Sequence, residues 1–463
     1  MDANILHFVG FLLYVFVLFI CAGMLAWLAT HRIEQKYKQY GVVLTLLILF
    51  PALIPNVMWD SWQIHLLFPL VYLFLVRASQ WEIFSNFYLS ARLHYNNPAI
   101  ALGVFFVYAF ASTAWAYFPL QSFMMISFQF VSIGFTYLAF TRIQHTRAET
   151  FANDGELARL CLVIGIGGFV LLALSSDIVP KIYSVTISLF EEKIKELSTN
   201  LTIAKYFELL TRLFLYRTFF DSGFSFFAVL AFPLAMLMPN RKASLFLLCG
   251  ILLVILLISE SQAAMLGLFC GICIVFFWPK IPRWAQQITP WVMLGGITLL
   301  PFFALLLTSE LFSLAFVKES YFFVNSLEPR LWIYENTILL DIWMCPWFGC
   351  GINIVNLDQW NNVSIFSMFF AASSYTHPHS HTLTLLIELG ITGLLLFLWV
   401  CACILHAIQT LNEQYRHYAL GAFFSSLCLT AFTQHLWGIV IIIWCSAFLV
   451  FALFGRSYPS SDQ

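Results

Sequence analysis

The stretch Leu383–His406, LTLLIELGITGLLLFLWVCACILH, holds a single carboxylate, Glu388, and is otherwise apolar almost to its last residue. About 20 such residues are enough for a helix to cross a bilayer. Working outward, comparable runs lie near 5–29, 41–57, 64–76, 99–115, 122–140, 160–175, 219–239, 244–258, 263–278, 289–308, 418–433 and 438–455. Over the whole chain 61% of residues are hydrophobic, only 10% are charged, and 50 are Phe. Soluble domains carry about 25% charged residues. No soluble core could hide this much apolar surface, so much of it must face lipid. The expected fold class is all-α: a polytopic membrane helix bundle of about 12–13 transmembrane helices.

The first run, 5–29, is too long for a signal-peptide core and has no small-residue cleavage site, so it reads as a retained helix. The loops then set the orientation. One set holds Arg32, Lys36, Lys38, Arg77, Arg92, Arg142, Arg147, Arg159, Arg241, Lys242, Lys280, Arg283, Arg416 and Arg456. The short loops of the other set, near 58–63, 116–121, 259–262 and 434–437, hold no Lys or Arg. Basic residues collect on the cytoplasmic side, which places the first set and the C-terminus there. The organisation expected is an additional N-terminal helix with its cytoplasmic loop over 1–40, a transmembrane core over 41–455, and a cytoplasmic tail over 456–463. With that tail, no further C-terminal soluble domain is expected.

Two long loops, 176–218 and 309–382, fall on the opposite, periplasmic side. Long loops translocate largely regardless of charge, and in compact proteins they usually carry function. Within the first, Ile187, Phe190, Ile194, Leu197 and Leu201 recur at helical spacing among charged residues. That pattern suits a helix lying on the outer interface and equally one packed on the bundle. The net charge of −1 provides no footprint for nucleic acid. Most of the eleven Cys sit in apolar runs, whereas Cys345 and Cys350 lie in a polar segment where a disulfide is open but unproven by spacing.

Histidine concentrates in Tyr375-Thr376-His377-Pro378-His379-Ser380-His381. Three His at alternate positions would point one way on a strand, as metal ligands do. No carboxylate or Cys lies close by and Pro378 disturbs the geometry, so no metal is assigned. The His could decorate a membrane-surface loop, or one of them could be a base, for which histidine is suited near neutral pH.

His379-Ser380, nine residues, then Gly390 and Gly393 resembles the signature of the bacterial O-antigen ligase and polymerase superfamily: His, then Asn, Ser or Gln, nine residues, Gly-x-x-Gly. Upstream, Arg330-Leu331-Trp332-Ile333-Tyr334 and Pro346-Trp347-Phe348-Gly349-Cys350-Gly351 resemble the family's Arg-x-x-x-Trp and Pro-x-x-Gly-x-Gly elements. Ser112-Thr113-Ala114-Trp115, with Pro119 and Ser122, resembles a weaker one. Two departures stand out. Tyr334 occupies the usual Trp position, and Ser259-Glu260-Ser261-Gln262 replaces a Ser-Arg pair. The resemblance covers about 41–455 of the chain.

It implies a glycosyltransferase of the bacterial inner membrane, multi-pass, with its active site facing the periplasm. The donor would be an undecaprenyl-diphosphate-linked glycan; the acceptor would be lipid A-core or another glycan. His379 would take the acceptor proton, worth roughly 10²–10⁴ in rate. Arg330 and Arg217 would hold the leaving diphosphate, a task suited to the planar guanidinium. His377, Ser380, His381, Trp332, Tyr334, Lys205, Arg212, Gln262 and Glu388 would line the substrate site, with membrane lipids around it. No cofactor is implied, and no nucleotide-binding motif occurs on the cytoplasmic side.

Blander readings stand beside these. Arg217 could anchor a helix end, and Arg330 could pair with Glu328 or Glu335. Glu388 is costly in a membrane unless paired, so it reads as a structural partner of His or Arg before a catalyst. Gly390 and Gly393 could serve close helix packing alone. Ligase is favoured over polymerase. The rival from another class is a lipid or glycan transporter, which would bury ionisable groups at mid-membrane; these spans carry almost none.

Overall fold

The computed structural model describes residues 98–127, 129–131, 221–236, 241–259, 262–308, 345–352, 380–411 and 413–431, together with Met24 and Tyr334. All regular elements among them are helical. They are α1 (Pro98–Ser112), α2 (Asp221–Met236), α3 (Arg241–Ser259), α4 (Gln262–Phe277), α5 (Arg283–Thr308), α6 (His381–Gln409) and α7 (Glu413–Ala431). The runs expected at 5–29, 41–57, 64–76, 160–175 and 438–455, the loop 176–218 and most of the loop 309–382 lie outside the described residues.

The chain divides into two compact units. The first comprises 1–77, 136–268 and 446–456. In it α2 packs on α3, with Ala228 to Met236 buried at every position. Pro233 sits inside α2 without ending it. On α3, by contrast, Phe246 and Leu247 are exposed. An apolar helix with its large side chains outward is at home only in lipid.

The second unit comprises 78–135, 269–445 and 457–463. There α6 packs on α1, α5 and α7, and α5 also packs on α7. Leu395, Val292 and Phe303 are exposed on the outside of this bundle. Its hydroxyls close on their own helices: Thr298 Oγ1 donates to Leu294 O at 2.8 Å, and Ser426 Oγ to Ala422 O at 2.9 Å. A hydroxyl satisfied within its own turn can sit in an apolar medium. At the α4–α5 junction, Gln286 Nε2 donates to Trp278 O and Ile281 O, and Arg416 donates to Leu411 O between α6 and α7.

Among the described residues, two helices, Ala263–Lys280 and His381–Gln409, meet the length and hydropathy needed to cross a membrane. The second corrects the expectation of an unbroken span over 383–406. Gly390 has φ 68°, ψ −172°, so α6 is two helices, 381–389 (α6a) and 391–409 (α6b). In a straight helix His381 and Phe397 would stand roughly 24 Å apart. Their ring centroids are 5.7 Å apart. Leu383 and Leu386 likewise share a cluster with Ile391 and Leu394. The two halves therefore fold back on each other. At 1.5 Å per residue α6b reaches about 28 Å, enough to cross, whereas α6a reaches about 13 Å. A half-length helix of this kind survives in a membrane only inside protein, and every residue of 380–390 is buried.

Candidate functional site

The loop 345–352 supplies what the helix break takes away. Cys345 and Cys350 are joined by a disulfide, their Cα atoms 5.5 Å apart, and Gly349 N donates to Cys345 O at 3.0 Å. The pairing left open by the sequence is thus made, and it closes Pro346-Trp347-Phe348-Gly349 into a turn. In an unbroken helix the amides of Ile391 and Thr392 would return to Ile387 and Glu388. Here they donate to Pro346 O at 2.9 Å and Trp347 O at 3.2 Å. The carbonyls of Ile387 and Glu388 accept instead from Cys350 N at 2.7 Å and Gly351 N at 3.0 Å. Leu389 O accepts the Tyr108 hydroxyl at 2.9 Å, which also reaches Phe348 O at 3.2 Å. The turn is spliced into the ladder of α6, and main-chain groups freed by the break are paired again. Left unpaired in an apolar interior, each would cost several kcal/mol, about 2–7 depending on reference.

Two glycines make the splice possible. Gly390 lies in the left-handed region, and a Cβ there would come within 2.5 Å of Trp347 C, Trp347 O and Phe348 N. Gly349, at φ 73°, faces it across the splice, where a Cβ would collide with the Glu388 carbonyl and Leu389 N.

The element after α1 locks the turn from the other side. Trp115 Nε1 donates to Phe348 O at 3.2 Å, Tyr117 N to Cys350 O at 3.2 Å, and Ser122 Oγ to Ile352 O at 2.7 Å. Trp115 and Phe348 meet edge to face at 6.0 Å. Trp115, Tyr117, Trp347 and Phe348 are all exposed, an aromatic collar of the sort found where a membrane meets water. Three elements more than 200 residues apart at the extremes are thereby brought to one place.

The spacing from Ser380 to Gly390 now has a physical meaning. Ser380 is the N-cap of α6a, in extended backbone (φ −153°, ψ 127°), and Gly390 is the left-handed residue just past its end. The nine residues between them are the helix. Its first bond, Thr384 N to Ser380 O, is 2.9 Å, doubled by Thr384 Oγ1 at 2.9 Å. His381 turns into the bundle against Phe397, with Nε2 3.4 Å from Thr382 Oγ1. The Thr382 hydroxyl donates to Thr298 O at 2.9 Å. Ser380 Oγ and His381 Nδ1 are buried without a hydrogen-bond partner among the described residues. A buried polar atom left open in this way marks a place where a water or ligand is bound, or a functional role.

Of the other residues singled out in the sequence, Tyr334 is buried with Leu383 and Leu386, its ring packed where α6a folds back. Glu388 is buried near the end of α6a. His379, His377, Arg330, Trp332, Arg217, Arg212 and Lys205 lie outside the described residues, and of Gln262 only the backbone, at the start of α4, is described. Tyr108 was missed. A lone tyrosine in an apolar run carries no signal that its hydroxyl will bridge two distant carbonyls.

No curated protein matches the chain. Residues 245–398 match the family model for O-antigen ligase, a stretch that contains the Pro346–Gly351 turn, Ser380, His381 and the Gly390 break. Members of that family are membrane glycosyltransferase-like enzymes of lipopolysaccharide assembly. Across residues 245–398 this chain is therefore similar to the O-antigen ligase and polymerase superfamily.

Proposed function

We propose that the protein is an O-antigen ligase, moving a glycan from undecaprenyl diphosphate to a hydroxyl of lipid A-core on the periplasmic face. The observation that carries this reading is the family match over 245–398, which takes in the helix break and the turn spliced into it. The Cys345–Cys350 bond supports a non-cytoplasmic location for that turn, because disulfides persist in oxidising compartments.

In this mechanism the splice is scaffold and the segment entering α6a is the working part. His379 stands one residue before the N-cap, so a rigid, fully buried helix anchors the base from behind. His379 takes the proton as the acceptor oxygen attacks the anomeric carbon with inversion. Arg330 and Arg217 neutralise the diphosphate as it leaves. The activated sugar–diphosphate bond supplies the driving force, and neither metal nor nucleotide takes part.

The test is complementation of a chromosomal null with wild type or His379→Ala, reading lipopolysaccharide ladders on gels and membrane insertion by immunoblot. Wild type should restore the ladder, and His379→Ala should insert normally and leave bare lipid A-core. Core carrying a single repeat would identify a polymerase. A His379→Ala strain with a full ladder would remove His379 from the chemistry.

A further inference from the structure

We propose that the Cys345–Cys350 pair is a reversible redox latch on the break in α6. Oxidised, it holds the turn that shapes the break; reduced, it releases that turn and switches the protein off. Its effect on transfer rests on the transferase reading, whereas its effect on α6 stands on the turn alone.

The bond closes residues 345–350 into a covalent ring, and this ring is the mould for the bend. Four main-chain bonds join the turn to the broken ladder. The Pro346 and Trp347 carbonyls and the Cys350 amide belong to the ring, and the Gly351 amide is the next along. These groups lie in no regular element, so no helix or strand of their own keeps them in register. That task falls to the ring, to the Gly349 N–Cys345 O bond inside it, and to the contacts that Tyr108, Trp115 and Tyr117 make from outside. Gly349 and Gly351 hold left-handed backbone, at φ 73° and 102°. Glycine regains more conformational freedom on release than any other residue. The turn is therefore poised to loosen on either side of Cys350 once the bond is cut.

The two cysteines are unequally placed. Cys350 is 2% exposed, whereas Cys345 is only partly buried, so an external thiolate meets the bond from the Cys345 side. Access decides which sulfur is attacked. The thiolate forms a mixed disulfide with Cys345 Sγ as the protein S–S bond breaks, and Cys350 leaves as a thiolate that takes up a proton. A second thiolate then frees Cys345. In sum, one protein disulfide and two external thiols become one protein dithiol and one external disulfide; a disulfide-bearing oxidant runs the exchange backwards. A chain made in a reducing cytoplasm starts as the dithiol, and arrival of the turn in an oxidising compartment closes the latch.

The experiment uses the full chain in nanodiscs, with dithiothreitol as reductant, oxidised glutathione as oxidant, and free thiols counted by mass after alkylation. Hydrogen exchange at residues 387–393 is the readout. Closing so short a loop shifts a local opening equilibrium by about 10–100-fold. Reduction of wild type should therefore speed exchange there by about that factor, and oxidised glutathione should restore the original rate. Cys345→Ala/Cys350→Ala should exchange at the fast rate with or without reductant, which assigns the response to this pair rather than to another cysteine. In the null strain the double variant should insert normally and restore at least about 10-fold less ladder than wild type, the lower end of the same factor. A pair that resists dithiothreitol in the folded protein would overturn the latch, as would a reduced protein that exchanges like the oxidised one. A double variant with a full ladder would overturn its control of transfer. Failure of wild type itself to restore a ladder would sink the transferase reading alone, and the exchange rates would still decide the latch.

Discussion

At the scale of single residues, the break in α6 concentrates sensitivity in one methyl group. Adding a Cβ at Gly390 forces a left-handed backbone onto alanine, which costs about 1–3 kcal/mol, and drives that carbon into the Trp347–Phe348 main chain. Gly103, in α1, has nothing within 4 Å of where its Cβ would be. Alanine there should be neutral or slightly stabilising, by about 0.5–1 kcal/mol. Thermal unfolding in detergent should therefore separate Gly390→Ala, clearly destabilised, from Gly103→Ala, at or above wild type. Equal melting of the two would show that the helix does not break at Gly390. Both Ser380 and Gly390 were visible in the sequence as family-pattern residues. Their roles as the first and last punctuation of one nine-residue helix were not, because a pattern states a spacing without the conformation that fills it.

At the scale of elements, Tyr108 ties α1 to the break. Tyr108→Phe keeps the ring and its packing but leaves Leu389 O without its donor, a loss of about 1–3 kcal/mol for a buried acceptor. Hydrogen exchange should accelerate at the amides of residues 387–393 while the far end of α6b, near Ile404, keeps its protection. Uniform exchange throughout α6 would mean the tyrosine is not part of the splice. The runs near 99–115, 219–239, 244–258, 263–278, 289–308 and 418–433 correspond to α1 to α5 and α7 within a few residues, since local hydrophobicity alone dictates them. The fold-back of α6 was illegible for the opposite reason. Gly and Pro are ordinary in membrane helices; Pro290 and Pro301 lie within α5 without ending it. What turns Gly390 into a break is a set of partners in the 345–351 turn and at Tyr108, far away in sequence. The Cys345–Cys350 bond belongs to the same class: a spacing of five allows it, and the fold of the turn makes it.

At the scale of the whole molecule, the all-helical, lipid-facing character was plain from composition, and the exposed Phe246, Leu395 and Val292 carry it into three dimensions. The side of the membrane is the matter to measure. The orientation argued from Lys and Arg puts the disulfide turn in the periplasm, and Lys280, Arg283 and Arg416 in the cytoplasm. In intact cells, a membrane-impermeant maleimide should label Cys345 and Cys350 only after reduction, in a background whose other cysteines are replaced by serine or alanine. Labelling that requires cell lysis would invert the topology and remove the periplasmic active site with it.

The splice also bears on how the protein is made. Ribosomes deliver the chain from its N-terminus, so Tyr108, Trp115 and the 345–351 turn leave the exit tunnel before α6a and α6b do. The mould for the bend thus precedes the segment it shapes. A stretch apolar enough to thread the bilayer as one straight rod meets waiting backbone partners that reward it for doubling over. Order of synthesis and direction of templating coincide here. A rearranged gene that placed 381–409 ahead of residue 108 would present the insertion machinery with the same amino acids and no mould.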